Sequence, residues 1–120
     1  MSMNGHSLQR RAVVAGLLSD RGDDLLVVTG LGGANWDATA AGDSPLTFPL
    51  WGAMGGALPM GLGLALAQPA KRVLILTGDG DLLMSLGCLA TIGVERPGNL
   101  AVVVLDNERY GETGRQRTAT

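Results

Sequence analysis

Val73-Leu74-Ile75-Leu76 is a short run of β-branched and aliphatic residues that leads straight into Gly78-Asp79-Gly80. A run that is apolar at every position, rather than at alternate ones, reads as a strand buried on both faces, the usual condition of a parallel strand beneath helices. The Gly-Asp-Gly turn then falls at the carboxyl end of a strand, where open α/β sheets bind ligands. Glycines on both sides of a carboxylate let the backbone turn tightly and bring its amides close to an anion. Leu82 to Ile92 reads as an apolar helix leaving the turn, so a phosphate held there would meet a helix N-terminus.

A second run, Leu100 to Leu105, ends just before Asp106-Asn107. If it lies parallel and next to the first, a right-handed crossover brings the two carboxyl ends together, with Asp79 and Asn107 side by side. A carboxylate and an amide carbonyl are oxygen donors suited to a hard divalent cation, the counter-ion that a diphosphate requires.

The rest of the chain is consistent with one α/β domain spanning residues 1–120, three-layered α/β/α around a mainly parallel sheet. Ser7 to Ser19 has helical spacing and reads as a cover helix with Arg10 and Arg11 facing out. Leu25 to Thr29 reads as the first strand. The glycines Gly30, Gly32 and Gly33 follow it, but their spacing is not that of a dinucleotide-binding loop. Asn35 to Ala41 reads as a short helix whose Trp36 serves packing or an interface, and a further helix runs from about Ala57 to Gln68 with Pro59 in its first turn.

Charge narrows the function classes. A net charge of −2, with basic residues scattered, gives no footprint for nucleic acid. The start of the chain lacks the pattern of a secretory signal. Ala53 to Ala67, the most apolar window, is broken by glycines and Pro59 and is shorter than the ~20 residues that span a bilayer. A soluble, cytoplasmic protein is the expectation, with no membrane association. The single cysteine, Cys88, reads as a buried structural thiol.

Gly78-Asp79-Gly80, then 25 residues, then Asp106-Asn107 with Tyr110-Gly111 close behind, resembles the thiamine diphosphate signature of 2-oxo acid decarboxylases and acetolactate-synthase-like enzymes. The family pattern usually ends in Asn-Asn; this chain has Asp106 first and keeps the second residue, Asn107. The resemblance implies the thiamin diphosphate-binding fold, with Mg2+ held by Asp79, Asn107 and the main-chain carbonyl of Arg109. Gly78, Gly80, Asp81 and Tyr110 would border the diphosphate of thiamine diphosphate. About two dozen residues upstream, Trp51-Gly52-Ala53-Met54-Gly55-Gly56 resembles the family stretch in which a bulky apolar side chain, here Met54, bends the cofactor and main-chain groups, here those of Gly52 and Met54, bind its aminopyrimidine. The loop from Tyr110 to Thr118 and the preceding Leu89-Ala90-Thr91-Ile92-Gly93 resemble phosphonopyruvate and sulfopyruvate decarboxylases, which implies that Arg115, Gln116 and Arg117 face an anionic substrate.

That family activates its cofactor with a glutamate from a separate pyrimidine-binding domain. The glutamates here, Glu95, Glu108 and Glu112, are not placed for it, so no catalytic residue is expected in this chain. The resemblance implies a hetero-oligomer with a pyrimidine-binding subunit, and a second copy of this chain, acting on a small anionic 2-oxo acid. Carboligation, or a non-catalytic cofactor-binding module, are the alternatives. The family sheet also continues past the equivalent of Thr120, so the last strand and helix units are expected to be missing here.

Overall fold

The computed structural model describes residues 8–120. Four strands, β1 (Leu25–Thr29), β2 (Thr47–Pro49), β3 (Arg72–Gly78) and β4 (Leu100–Leu105), form one sheet in the order β2-β1-β3-β4. All three pairings are parallel. β1 and β4 have the bounds read from the sequence, and β2 is a short addition where only a connection was expected.

Helices α1 (Arg10–Leu18) and α2 (Gly33–Ala40) cover one face; α3 (Ala57–Ala67), α4 (Asp79–Leu83) and α5 (Cys88–Glu95) cover the other. Alternation along the central strands feeds both layers. Val27, Leu74 and Leu76 join Val14, Leu18, Ala34 and Ala38 in one core. Val28 and Ile75 join Leu50, Ala57 and Leu58 in the other. This is the expected three-layer α/β/α arrangement, and the period-2 geometry of strands is what lets an uninterrupted apolar run serve two cores at once.

Three local expectations need correction. The helix read from Leu82 to Ile92 is two helices, separated by turns in which Met84, Ser85 and Cys88 donate to carbonyls three residues back. The break falls where Met84 packs against Gly55, whose φ of +89° admits no side chain. Arg10 and Arg11 do not simply face out; both turn toward Asp37 on α2. Ser7, the expected start of that helix, lies outside the described residues. Cys88 is partly rather than fully buried, against the second core. Trp36 is exposed and meets Trp51 edge to face at 5.0 Å.

Candidate functional site

The site forms because β3 and β4 end level. Their register runs Val73↔Leu100 to Gly78↔Leu105, so the chains leave the sheet together and Asp79 and Asn107 emerge at one corner. The Asn107 amide donates to Asp79 Oδ1 at 3.4 Å. Asp79 Oδ2 accepts from the hydroxyls of Thr118 and Thr120, both at 2.7 Å. Burial of Asp79 works against its charge, but the hydroxyls of Thr118 and Thr120 and the amides of Asp79 and Asn107 outweigh it and hold the carboxyl below the usual carboxylate range.

Asp79 is therefore a buried anion whose partners, among the described residues, are neutral donors; none of the ion pairs there involves it. A buried charge without a counter-charge is costly, and a cation beside it relieves that cost. The nearby groups are an amide carbonyl and main-chain carbonyls, with no cluster of three His, Cys, Asp or Glu side chains among the described residues. One carboxylate with carbonyl oxygens is a hard donor set, suited to Mg2+ completed by phosphate oxygens and water, and unsuited to a soft metal. Asn107 Oδ1 already accepts from the Arg109 amide at 3.0 Å, and its second lone pair remains.

Gly80, in the first turn of α4, lies under the Tyr110 ring and the Thr118 methyl, and a Cβ there would collide with the ring. The stretch read as a loop from Tyr110 to Thr118 is built on a hairpin of β5 (Arg109–Tyr110) and β6 (Gln116–Arg117), folded back so that Thr118 reaches Asp79. Glu108, between the two expected metal-binding positions, has φ +58°, and Arg115 in the hairpin has φ +64°. Ala53, just before Met54, has φ +53°. Non-glycine residues in this left-handed region carry strain, and Ala53 and Glu108 each adjoin a cleft-lining residue, Met54 and Asn107.

The cleft has a volume of about 310 Å³. One wall is the segment after β1, Leu31 to Ala34, together with Arg10 and Met54; the other is Gly78 to Asp81, Met84, Leu105, Asn107 and Arg109 to Thr113. Met54, Gly78, Asp79, Gly80, Asp81, Asn107, Arg109 and Tyr110 are thus brought together. Gly52 is exposed and does not line the cleft. Arg115, Gln116 and Arg117 do not line it either; Arg117 reaches Glu108 at 3.7 Å instead.

The resemblance placed Asp81 only among the residues bordering the diphosphate. Its side chain is the fastener of the site: Oδ1 accepts from the Gly55 amide at 2.6 Å and Oδ2 from the Thr77 hydroxyl at 2.5 Å. Gly30 is bare because Asp81 Oδ2 occupies the place of its Cβ. This bond ties the Met54 stretch to the Gly-Asp-Gly corner. Behind the other wall, Asn35 on α2 pairs with Thr29 and donates to the Leu50 carbonyl at 2.6 Å, fixing the entry to Trp51. Only the repeated acid in Gly-Asp-Gly-Asp hinted at any of this.

Residues 34–120 match the family model described as thiamine pyrophosphate enzyme, C-terminal TPP binding domain. The chain is 47% identical over 96 residues to sulfopyruvate decarboxylase subunit beta of Methanothermobacter thermautotrophicus, covering 80% of this chain and 51% of that protein. It is 37% identical over 112 residues to the subunit of the same name in Methanocaldococcus jannaschii, covering 93% of this chain and 59% of the relative. Phosphonopyruvate decarboxylase of Streptomyces viridochromogenes is 42% identical over 109 residues, or 91% of this chain and 27% of that protein. The chain thus spans between about a quarter and three-fifths of the length of these relatives. No helix among the described residues is long and apolar enough to cross a membrane. The fold, the paired strand ends and these matches together make the chain a member of the thiamine pyrophosphate enzyme family, carrying its C-terminal TPP binding domain.

Proposed function

We propose that this chain is the diphosphate-binding part of a thiamine diphosphate- and Mg2+-dependent 2-oxo acid decarboxylase. The observation that carries the reading is the buried, ionised Asp79 without a cationic partner among the described residues, set beside Asn107 at the mouth of the cleft. Asp79, Asn107 and the Arg109 carbonyl would hold the metal. Main-chain amides around Gly80 and Asp81 would hold the diphosphate, with Tyr110 closing over it and Met54 supporting the cofactor between its rings. The cofactor, when bound, supplies the electron sink for loss of carbon dioxide from a 2-oxo acid.

This chain's own residues do three things in that reading. The Asp81 bridge fixes the Met54 stretch against the metal corner, so two contacts to one ligand are pre-organised. The apolar side chains of Leu31, Met54, Met84 and Leu105 limit water in the cleft. Thr118 and Thr120 orient the Asp79 carboxylate. Two relatives named subunit beta support a partner subunit, from which the activating glutamate would come, and the names sulfopyruvate and phosphonopyruvate decarboxylase support a small anionic substrate.

Calorimetric titration of thiamine diphosphate with Mg2+, into the chain alone and with a pyrimidine-binding partner, tests the reading. The expected outcome is saturable, Mg2+-dependent binding that is lost in Asp79→Ala. Absence of binding in both mixtures would overturn it.

A further inference from the structure

Asp37 is fully buried on α2, and its two oxygens face two arginines: Oδ1 accepts from Arg11 Nε at 3.1 Å, while Oδ2 is in ion-pair contact with Arg10 Nε. Contact through Nε leaves the two terminal nitrogens of Arg10 directed elsewhere. The guanidinium, through Nη1, Cζ and Nη2, lies over the bare Cα of Gly33, where any side chain would displace it, and Arg10 and Gly33 both line the cleft. The result is a guanidinium braced from behind by a buried carboxylate. Such a group loses little conformational freedom on binding and presents a fork suited to an oxyanion.

Of the other charged residues of the cleft, Glu112 packs over Gly32 and, as an anion, offers nothing to an oxyanion, while the rest are engaged. Asp81 is saturated by Gly55 and Thr77, Asp79 is tied to the metal corner, and Arg109 Nη1 donates to the Arg115 carbonyl at 3.3 Å. Arg10 stands on the wall that follows β1, whereas Asp79 and Asn107 stand on the wall that follows β3 and β4.

Resting on the decarboxylase reading above, we propose that Arg10, braced by Asp37, binds the acidic tail of the substrate and selects 2-oxo acids that carry a second anionic group. The tail is the better partner than the carboxylate that leaves. A guanidinium on the departing carboxylate would stabilise the ground state and lose its partner as carbon dioxide forms, whereas a sulfonate, phosphonate or distal carboxylate keeps its charge throughout.

The test uses the complex of this chain with its partner and compares wild type, Arg10→Gln and Arg10→Lys on two 2-oxo acids, one ending in a sulfonate and one with an uncharged tail of similar length. In Arg10→Gln, KM for the sulfonate acid should rise about tenfold to a hundredfold, the scale of one charged hydrogen-bonded pair. KM for the uncharged acid and Mg2+-dependent cofactor affinity should hold. Arg10→Lys, which keeps the charge beside Asp37 but not the fork, should fall between them. In parallel, sulfoacetate titrated calorimetrically into the wild-type complex should bind more tightly than propionate, with the preference gone in Arg10→Gln. Equal loss on both acids, a fall in cofactor affinity, or no sulfoacetate preference in the wild type would overturn the assignment. A wild type that binds sulfoacetate preferentially but turns over neither acid would instead overturn the decarboxylase reading and leave the anion site standing.

Discussion

β3 and β4 are parallel neighbours of similar composition, yet they live in different surroundings. β3 pairs on both sides and buries Val73, Leu74, Ile75, Leu76 and Thr77; β4 pairs on one side and buries no residue fully. The helix over β4 follows suit: α5 has no buried residue, and Leu89 and Val94 are exposed. The candidate metal corner straddles this divide, with Asp79 rising from the saturated strand and Asn107 from the open one. One half of the corner is fixed by the fold itself. The other half rests on a strand that is paired on one side and buries no residue fully, a condition that belongs to the low-stability end of a domain.

The largest expected effect tests that contrast directly. Ile75→Ala empties a fully buried site between β3 and α3 and should cost about 2–5 kcal/mol in denaturant unfolding. Val104→Ala, on β4 and 37% exposed, should cost about 0.5 kcal/mol or less. Equal losses would mean that β4 is covered in solution, and the contrast would fail. Next in size is Asp81→Asn. It sets an amide nitrogen against one of two donors, Gly55 N–H or Thr77 Oγ1, and should cost about 1–3 kcal/mol. Hydrogen exchange at the Gly55 amide should quicken if the bridge holds the Met54 stretch to the β3 side; unchanged exchange would show that the stretch is held by something else.

How much of this the sequence disclosed follows the same divide. The strands were legible because an uninterrupted apolar run between glycine and polar turns has few other readings, and β1 and β4 were found to the residue. Asp79 and Asn107 were legible through the strand ends they follow, Met54 through the family resemblance of its stretch, and one cleft holds all three. The split between α4 and α5 was not; it falls where Met84 meets Gly55, a tertiary contact that helical periodicity does not encode. The same applies to Arg10 and Asp37, which lie on separate helices and look like ordinary solvated charges until those helices pack. The hairpin after Asn107 has the composition of a loose end; its order comes from Thr118 and Thr120 reaching Asp79.

That reach gives a smaller, pH-dependent prediction. The Asp79 carboxyl is depressed in the folded state, so its contribution is present above the unfolded value of about 4 and is lost as pH falls through the folded one. Thr118→Val removes one donor, raises the folded value toward the unfolded one, and should shrink the loss of stability between pH 7 and pH 3. An unchanged acid-side loss would show that the hairpin beyond β4 does not anchor on the β3 aspartate.

The smallest effect belongs to the opposite end of β3. There Arg72 forks onto Asp24 at 2.8 and 3.2 Å, and the hydrogen bond from Arg72 leads the influences that hold the Asp24 carboxyl down. Both side chains are more than half exposed, so water and salt compete for each charge, and pairs of this kind contribute little. Arg72→Ala should leave the unfolding midpoint unchanged within error at physiological salt, with any difference emerging only at low ionic strength. Because Asp24 is depressed, whatever the pair contributes is present above about pH 4 and fades below it. If Arg72→Ala destabilised the chain as much as Asp81→Asn at physiological salt, burial would not be what separates the carboxylates at the two ends of β3, and the contrast between its dry core and its wet end would have to be abandoned.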